Sequence, residues 1–393
     1  MYAQALGGGD PNTITIDLKN FQHFSMDPTT HVASIGAGMR LGDVTKNLLA
    51  AGNRAIAHGT CPDVGIGGHA TMGGLGPTSR MWGSAMDHVI EAEVVLANSS
   101  ILTVNPQTHP EIFWAVKGAG ASFGVVTQFK FRTQEAPGEM VEYSYTFSPR
   151  PYSALADRFK EWQTLISNPT LSHKFASQVV LSELGMIISG TYFGSKAEWD
   201  ALNITNVFPD RTSALDKILV LDDFAGAVSH WAEDIALTIG GGIAAAFTTK
   251  NIAFSENDLI PASTIDKFFQ NLDTADKGTL IWFAIFDLEG GAINEVPTNA
   301  TSYGHRDALF YVQNYAVNIG QVSETTRKFV KGMDEILRAG FPGKTLGSYA
   351  GYVDPELKNA QEMYYGTNYA ELRRVKRVVD PNDVFSNPQS VKL

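Results

Sequence analysis

Apolar and polar positions alternate with a period of two in short stretches of the first third of the chain, which predicts strands at 13–18 and 31–36. Two more such stretches, 89–96 and 101–104, flank Asn98-Ser99-Ser100, a polar turn that predicts a hairpin. Between these, 41–51 has helical spacing and stops at Gly52, the residue type that ends helices at least cost. Residues 111–116 predict a short helix and 125–131 another strand. Beyond Pro137 the texture changes to longer amphipathic segments alternating with strands. Strands are predicted at 140–147, 280–288 and 308–315, a hairpin over 179–192 around Leu184-Gly185, and helices at 156–166, 325–337 and 361–378. Strands joined by hairpins and interleaved with helices predict an α+β fold whose antiparallel sheet is covered on one face.

At 393 residues, two domains are the natural division. A net charge of −11 argues against a nucleic-acid partner and against an anionic membrane surface. The longest basic cluster, Arg373-Arg374-Val375-Lys376-Arg377, lies in a helical pattern and reads as a solvated face. No apolar run is long enough to span a bilayer. His58, His88, His109 and His305 lack metal-ligand spacing with carboxylates or thiols, so no metal is expected. The absence of a G-x-S-x-G elbow and of a phosphate-binding loop removes hydrolase and nucleoside-triphosphatase readings.

The single cysteine, Cys61, excludes an intrachain disulfide and sits between His58 and His69 in a segment rich in glycine. Gly59, Gly65, Gly67 and Gly68 are followed by Gly73, Gly74 and Gly76. Glycines let a backbone approach a flat or charged ligand, because no Cβ intervenes. On chemistry alone this is a cofactor cradle with one soft nucleophile aimed into it, or else a turn beside an inert thiol.

Cys61 followed eight positions later by His69, through Pro62-Asp63-Val64-Gly65-Ile66-Gly67-Gly68, resembles the berberine-bridge-enzyme-like flavoproteins of the vanillyl-alcohol-oxidase superfamily. The resemblance covers almost the whole chain and is strongest to the fungal oligosaccharide oxidases. It implies an FAD-binding domain of the vanillyl-alcohol-oxidase (PCMH) type at 1–137, a substrate domain at 138–346, and a segment at 347–393 that returns to the FAD domain. In that family the matching cysteine forms a thioether to C6 of the flavin, and the matching histidine contacts the ribityl side. Gly59, Thr60, Cys61, Gly65, Gly67, Gly68, His69 and Gly74 are thereby implied as cofactor-binding. A second glycine-rich turn, 117–124, lies along the ADP half in the family, with a backbone contact near Val125, and adds Gly120 and Val125. Taken alone that turn is a weak signal, since such turns often serve tight packing. Family members carry an upstream R-S-G-G-H-type loop with a second covalent histidine. Tyr2-Ala3-Gln4 looks like the residues just after it, so the chain is expected to be truncated at its N-terminus and to lack the histidyl link.

Oxidising an alcohol or hemiacetal with a flavin needs a base for the hydroxyl proton and an acceptor for the hydride. Residues 348–354 resemble the family segment whose tyrosine is the proposed base, which points to Tyr349, with Tyr352 as its rival three residues on. A phenol is a poor base at its ordinary pKa near 10 and needs help. The family supplies a carboxylate on a substrate-domain strand, matched here by Asp287. From pattern alone Tyr349 is a core tyrosine and Asp287 a solvated strand-end residue. Residues 308–315 resemble the strand whose glutamine and aromatics line the sugar groove, which implies Gln313, Tyr311 and Tyr315 as substrate-binding residues. These three share a face by their spacing, and a half-buried strand turning its aromatics to the core is the alternative.

The resemblance implies oxidation of the anomeric hydroxyl of an oligosaccharide to a lactone, with oxygen as electron acceptor and hydrogen peroxide as product. Ile285, where oligosaccharide oxidases often have a polar residue, and Ser348, in place of the usual Asn, leave room for an aromatic or alkaloid-like substrate. A catalytically inactive, truncated sugar-binding remnant is the third reading. Sequons at Asn98, Asn203 and Asn299 together with the resemblance imply a secreted, monomeric glycoprotein.

Overall fold

The computed structural model describes residues 13–147, 150–208, 216–239 and 246–393. Alternation in the first third builds a five-stranded antiparallel sheet, in spatial order Phe24–Met26, Val32–Gly36, Val125–Arg132, Val89–Val95 and Ile101–Val104. Its apolar face, with Ala33, Ile35, Ala92, Val94, Phe129 and Phe131, closes on Val44 and Leu48 of helix Leu41–Ala50 and on Ile112 and Val116 of helix Pro110–Ala119. The first helix stops as its sequence predicts, with Gly52 at φ 136°. The strand predicted at 13–18 does not form. Its period-two spacing defines faces, but no neighbouring strand takes up its backbone groups, and Ile14 and Ile16 are exposed.

The second sheet has seven antiparallel strands, in the order Lys217–Leu221, Met140–Phe147, Gly185–Tyr192, Gln178–Ser182, Ile281–Leu288, Ala308–Asn318 and Ala246–Ser255. Helices Ala156–Ile166, Ala262–Thr274 and Glu324–Ala339 cover one face, where Phe159, Trp162, Phe268 and Phe329 meet Ile252, Phe254, Phe286 and Phe310. Because successive side chains alternate between faces, Phe283, Ile285 and Asp287 stand on the other face with their cross-strand partners Tyr315, Gln313 and Tyr311. That face looks toward the first sheet's unit: Tyr311 and Ala253 pack with Leu75, Met86 and Tyr349.

The helix predicted over 361–378 is broken. Ala360–Tyr365 and Tyr369–Val379 are separated by a 3-10 turn at Gly366–Asn368, where Gly366 takes φ 51°. The basic cluster is also not wholly solvated. Arg374 and Arg377 are exposed, but Lys376 is fully buried. Its ammonium donates to Ser122 O (2.8 Å), Asp380 Oδ2 (2.7 Å) and Phe385 O (3.1 Å). The Asp380 carboxylate in turn accepts the N–H groups of Val384 and Phe385. Val391 N–H donates to Ser122 Oγ at 3.1 Å. The C-terminal segment is thereby fastened to the Gly120–Ser122 turn of the first unit. No helix among the described residues is long and apolar enough to cross a membrane.

Candidate active site

The glycine-rich segment divides into glycines needed for packing and glycines that leave space. Half of it is helix, Ile66–Met72, rather than the loop its composition suggests. A Cβ on Gly67 would lie 2.6 Å from Ala37 O, one on Gly74 2.4 Å from Ala85 Cβ, and one on Gly120 2.7 Å from Thr71 Cβ. These three are sites of close approach between elements. Gly65 and Gly68 differ: both are exposed, and a Cβ on either would meet nothing within 4 Å. Gly59 donates its N–H to His69 Nε2 at 2.9 Å, so His69 folds back onto the loop as a neutral acceptor. Burial of its ring and the neighbouring His58 push its pKa down to about 3. Thr60 and Cys61 are partly exposed, and burial pushes the Cys61 thiol up while Thr60 pulls it back. Val125 opens its strand and is partly exposed.

These residues fit an FAD. The backbone at the two open glycines and the partly exposed thiol are accessible to a ligand. A small cavity, with room for about one water, lies where the end of the Ile66–Met72 helix, the second glycine turn and the C-terminal segment meet, lined by Met72, Gly118, Ser122, Ala350, Tyr365 and Ser390. Cys61, Gly65 and Gly68 would hold the ring, with Gly120 serving to seat its turn against Thr71.

On the facing sheet, Asp287 and Gln313 come together: the Gln313 amide donates to Asp287 Oδ2 at 2.6 Å. Tyr349 does not join them. Its hydroxyl accepts Gly74 N–H at 2.9 Å, an approach that Gly73 at φ 143° allows, because a Cβ there would lie 2.8 Å from that hydroxyl. Tyr349 is buried, and burial raises its phenol well above the ordinary range. The tyrosine that meets the carboxylate is Tyr352, partly exposed, whose hydroxyl donates to Asp287 Oδ2 at 3.5 Å, the outer limit of a hydrogen bond. The Tyr349 and Tyr352 rings pack edge to face at 4.9 Å. Burial lifts the Asp287 pKa to about 6, against the lowering effect of the Gln313 and Tyr352 hydrogen bonds.

The aromatics of the Ala308–Asn318 strand are built in rather than displayed. Tyr311 is fully buried, hydrogen-bonded to the Tyr303 hydroxyl and packed 5.4 Å from Tyr349. Tyr315 is 5% exposed and lies between Phe247 and Phe283. Two residues outside the expected set also shape the site. Glu289, two positions beyond Asp287, is buried, and burial and the Asp287 charge raise its pKa. Arg80 donates Nε–H to Phe175 O at 2.9 Å and Nη1–H to Glu289 O, so it fastens the two units together. Period-two spacing from Asp287 marks Glu289 as sharing its face.

A glycine-lined cradle on one unit, facing a sheet whose carboxylate meets a tyrosine of the 348–354 segment, is the arrangement of a flavin-dependent oxidoreductase. Family models agree: the FAD binding domain matches residues 3–105, and the "berberine and berberine like" model matches residues 348–392. The chain is 38% identical over 391 residues to the FAD-linked oxidoreductase sorD of Penicillium rubens, which covers 98% of this chain and 82% of that one. It is 31% identical over 409 residues to the xylooligosaccharide oxidase of Thermothelomyces thermophilus, covering 100% of this chain and 80% of that one. The solved glucooligosaccharide oxidase of Acremonium strictum, described with a 6-S-cysteinyl, 8α-N1-histidyl FAD, superimposes with a TM-score of 0.85 at 28% identity, covering 96% of this chain and 81% of that one. The chain belongs to the berberine-bridge-like family of FAD-linked oxidoreductases, with the α+β fold of its PCMH-type members, and FAD is its cofactor.

Proposed function

We propose that this enzyme oxidises a CH–OH group to a carbonyl, and that Tyr352, rather than Tyr349, handles the hydroxyl proton. The Gln313–Asp287–Tyr352 chain of hydrogen bonds is the observation that supports this reading. Tyr352 accepts the substrate's hydroxyl proton while passing its own to Asp287, so the phenol need not ionise. Asp287, lifted by burial to about 6, is ionised at neutral pH yet basic enough to take that proton. Gln313 holds the carboxylate in place. FAD, when bound, supplies the acceptor for the hydride and returns the two electrons to oxygen, giving hydrogen peroxide. For a sugar the carbonyl product would be a lactone, a reading supported by relatives named for oligosaccharides.

Because Asp287 must be ionised, the rate of flavin reduction falls as pH drops through about 6. Gln313→Leu removes a donor to the carboxylate, whose hydrogen bond is worth about 1.5–3 kcal/mol. At about 1.4 kcal/mol per pKa unit, the acid limb of the rate profile moves up by about one to two units, which rapid mixing over a pH series measures. A Gln313 that served only as a ligand for substrate would change KM and leave the limb in place.

Cys61 is proposed to carry the flavin through a thioether. Acid-precipitated protein then keeps its yellow colour, and Cys61→Ala releases the flavin to the supernatant; colour in the wild-type supernatant contradicts the linkage. Asn98, Asn203 and Asn299 are all exposed, which supports the reading of a secreted glycoprotein.

A further inference from the structure

We propose that Asn251 is the positioning residue of this site: its one side-chain amide holds both ends of the turn that aims the Tyr352 hydroxyl at Asp287. This rests on the reading that Tyr352 and Asp287 accept the substrate proton. Strand Ala246–Ser255 closes the seven-stranded sheet at one edge, with Ala308–Asn318 on its paired side. The segment that carries the two tyrosines runs along its other side. Ala253 N–H donates to Gly347 O at 2.9 Å, and Asn251 O accepts from Ser348 Oγ at 2.9 Å and from Arg338 Nη2 at 3.0 Å. The segment then turns back, and Tyr352 N–H donates to Tyr349 O at 3.0 Å. The turn is tight, since a Cβ on Gly351 would lie 2.4 Å from Tyr349 Cε1.

A turn closed in this way leaves its first N–H and its last carbonyl to find partners elsewhere. Both find the same one. Asn251 Oδ1 accepts Tyr349 N–H and Asn251 Nδ2 donates to Tyr352 O, each at 2.7 Å. Asn251 is 1% exposed, so an amide there is tolerated because these bonds are made. Register puts it opposite Gln313, on the face that carries Asp287, so the clamp and the carboxylate share one rigid frame of three strands. Lys250, on the opposite face of the same strand, holds the Asp354 carboxylate at 2.9 Å. Lys250 anchors the segment beyond the turn, and Asn251 sets the turn itself. The Tyr352–Asp287 contact is already at the outer limit of a hydrogen bond, at 3.5 Å, so any outward movement of the turn breaks it.

The test follows protonation of the Asp287 carboxyl in the holoenzyme by infrared difference titration, with Asp287→Asn as the blank. Tyr352→Phe removes a hydrogen bond to the ionised carboxylate and is expected to move the titration up by about half to one pH unit. Asn251→Leu keeps the Tyr352 hydroxyl, yet is expected to move the titration up by the same amount and to add nothing in the Tyr352→Phe background. An asparagine that served stability alone would lower the melting temperature without following Tyr352 in this way. Asn251→Ser, small enough for the same site and too short to span both backbone groups, gives the same reading if Asn251→Leu does not fold. Wild-type titration in the Asn251 variants, with Tyr352→Phe shifted, overturns the proposal. So does a further shift in the double variant, which would mean that Asn251 acts on Asp287 by another route. If Tyr352→Phe itself titrates as the wild type, the Tyr352–Asp287 bond is absent, and the relay reading fails together with the inference built on it.

Discussion

Tyr352→Phe lowers turnover about 10²–10⁴-fold, the usual loss when a positioned proton acceptor is removed, while Tyr349→Phe keeps most of the activity. The two tyrosines are three residues apart and their rings touch, yet their hydroxyls face different partners. Tyr352 points at Asp287, a carboxylate that burial has lifted to about 6 and can take a proton. Tyr349 points at Gly74 N–H, a group that only donates, and burial raises its phenol. Loss of the Tyr349 hydroxyl strands that N–H and costs stability of about 1–3 kcal/mol, not chemistry. Steady-state peroxide production by the two variants, beside their melting temperatures, separates these effects: one variant loses rate and the other loses stability.

Lys376→Met destabilises the protein by about 3–5 kcal/mol, because it leaves a buried carboxylate without its counter-charge. Lys376 and Asp380 are both fully buried, and the ammonium also serves the carbonyls of Ser122 and Phe385. A methionine of similar length fills the space but donates to none of them. In the wild type the Asp380 pKa lies below its usual range. Burial raises it, but the Lys376 ammonium and the Phe385 and Val384 amides outweigh that effect. Its contribution is therefore complete above about pH 4, the unfolded carboxylate value, and is lost as pH falls through the folded value. Urea unfolding at neutral pH measures the Lys376→Met loss. The double variant Lys376→Met/Asp380→Asn recovers part of it, since the fully buried charge is then gone, while Asp383, which also pairs with the Lys376 ammonium at 3.0 Å, still lacks its partner.

Much of the fold is legible in the chain because half-buried strands alternate. The 89–104 hairpin, the 179–192 hairpin and the helix at 156–166 all follow from spacing and turn chemistry. Strand Ala246–Ser255 escapes such reading because both of its faces are occupied. Ile252 and Phe254 enter the helix-covered core, while Phe247 and Ala253 turn toward the site, so no apolar–polar alternation survives. The break at Gly366 is marked by its glycine, but a continuous helical pattern on both sides hides it. In the site, the residue types are legible and the pairings are not. Nothing in 348–354 says which tyrosine reaches Asp287, because that depends on how the segment crosses the seven-stranded sheet. The Gln313–Asp287 contact likewise depends on register: Gln313 pairs directly with Ile285 and reaches the carboxylate diagonally. Lys376 shows the same limit, since a buried lysine and its surface neighbours Arg374 and Arg377 share one helical pattern.

The most direct measurement is anaerobic rapid mixing of Tyr352→Phe and Tyr349→Phe holoenzymes with cinnamyl alcohol and, separately, with xylobiose, following the bleaching of the flavin. With whichever compound reduces the wild type, the account predicts bleaching at near wild-type rate in Tyr349→Phe and slowed at least about a hundredfold in Tyr352→Phe. Fast bleaching in Tyr352→Phe, with the loss falling on Tyr349→Phe instead, would contradict it.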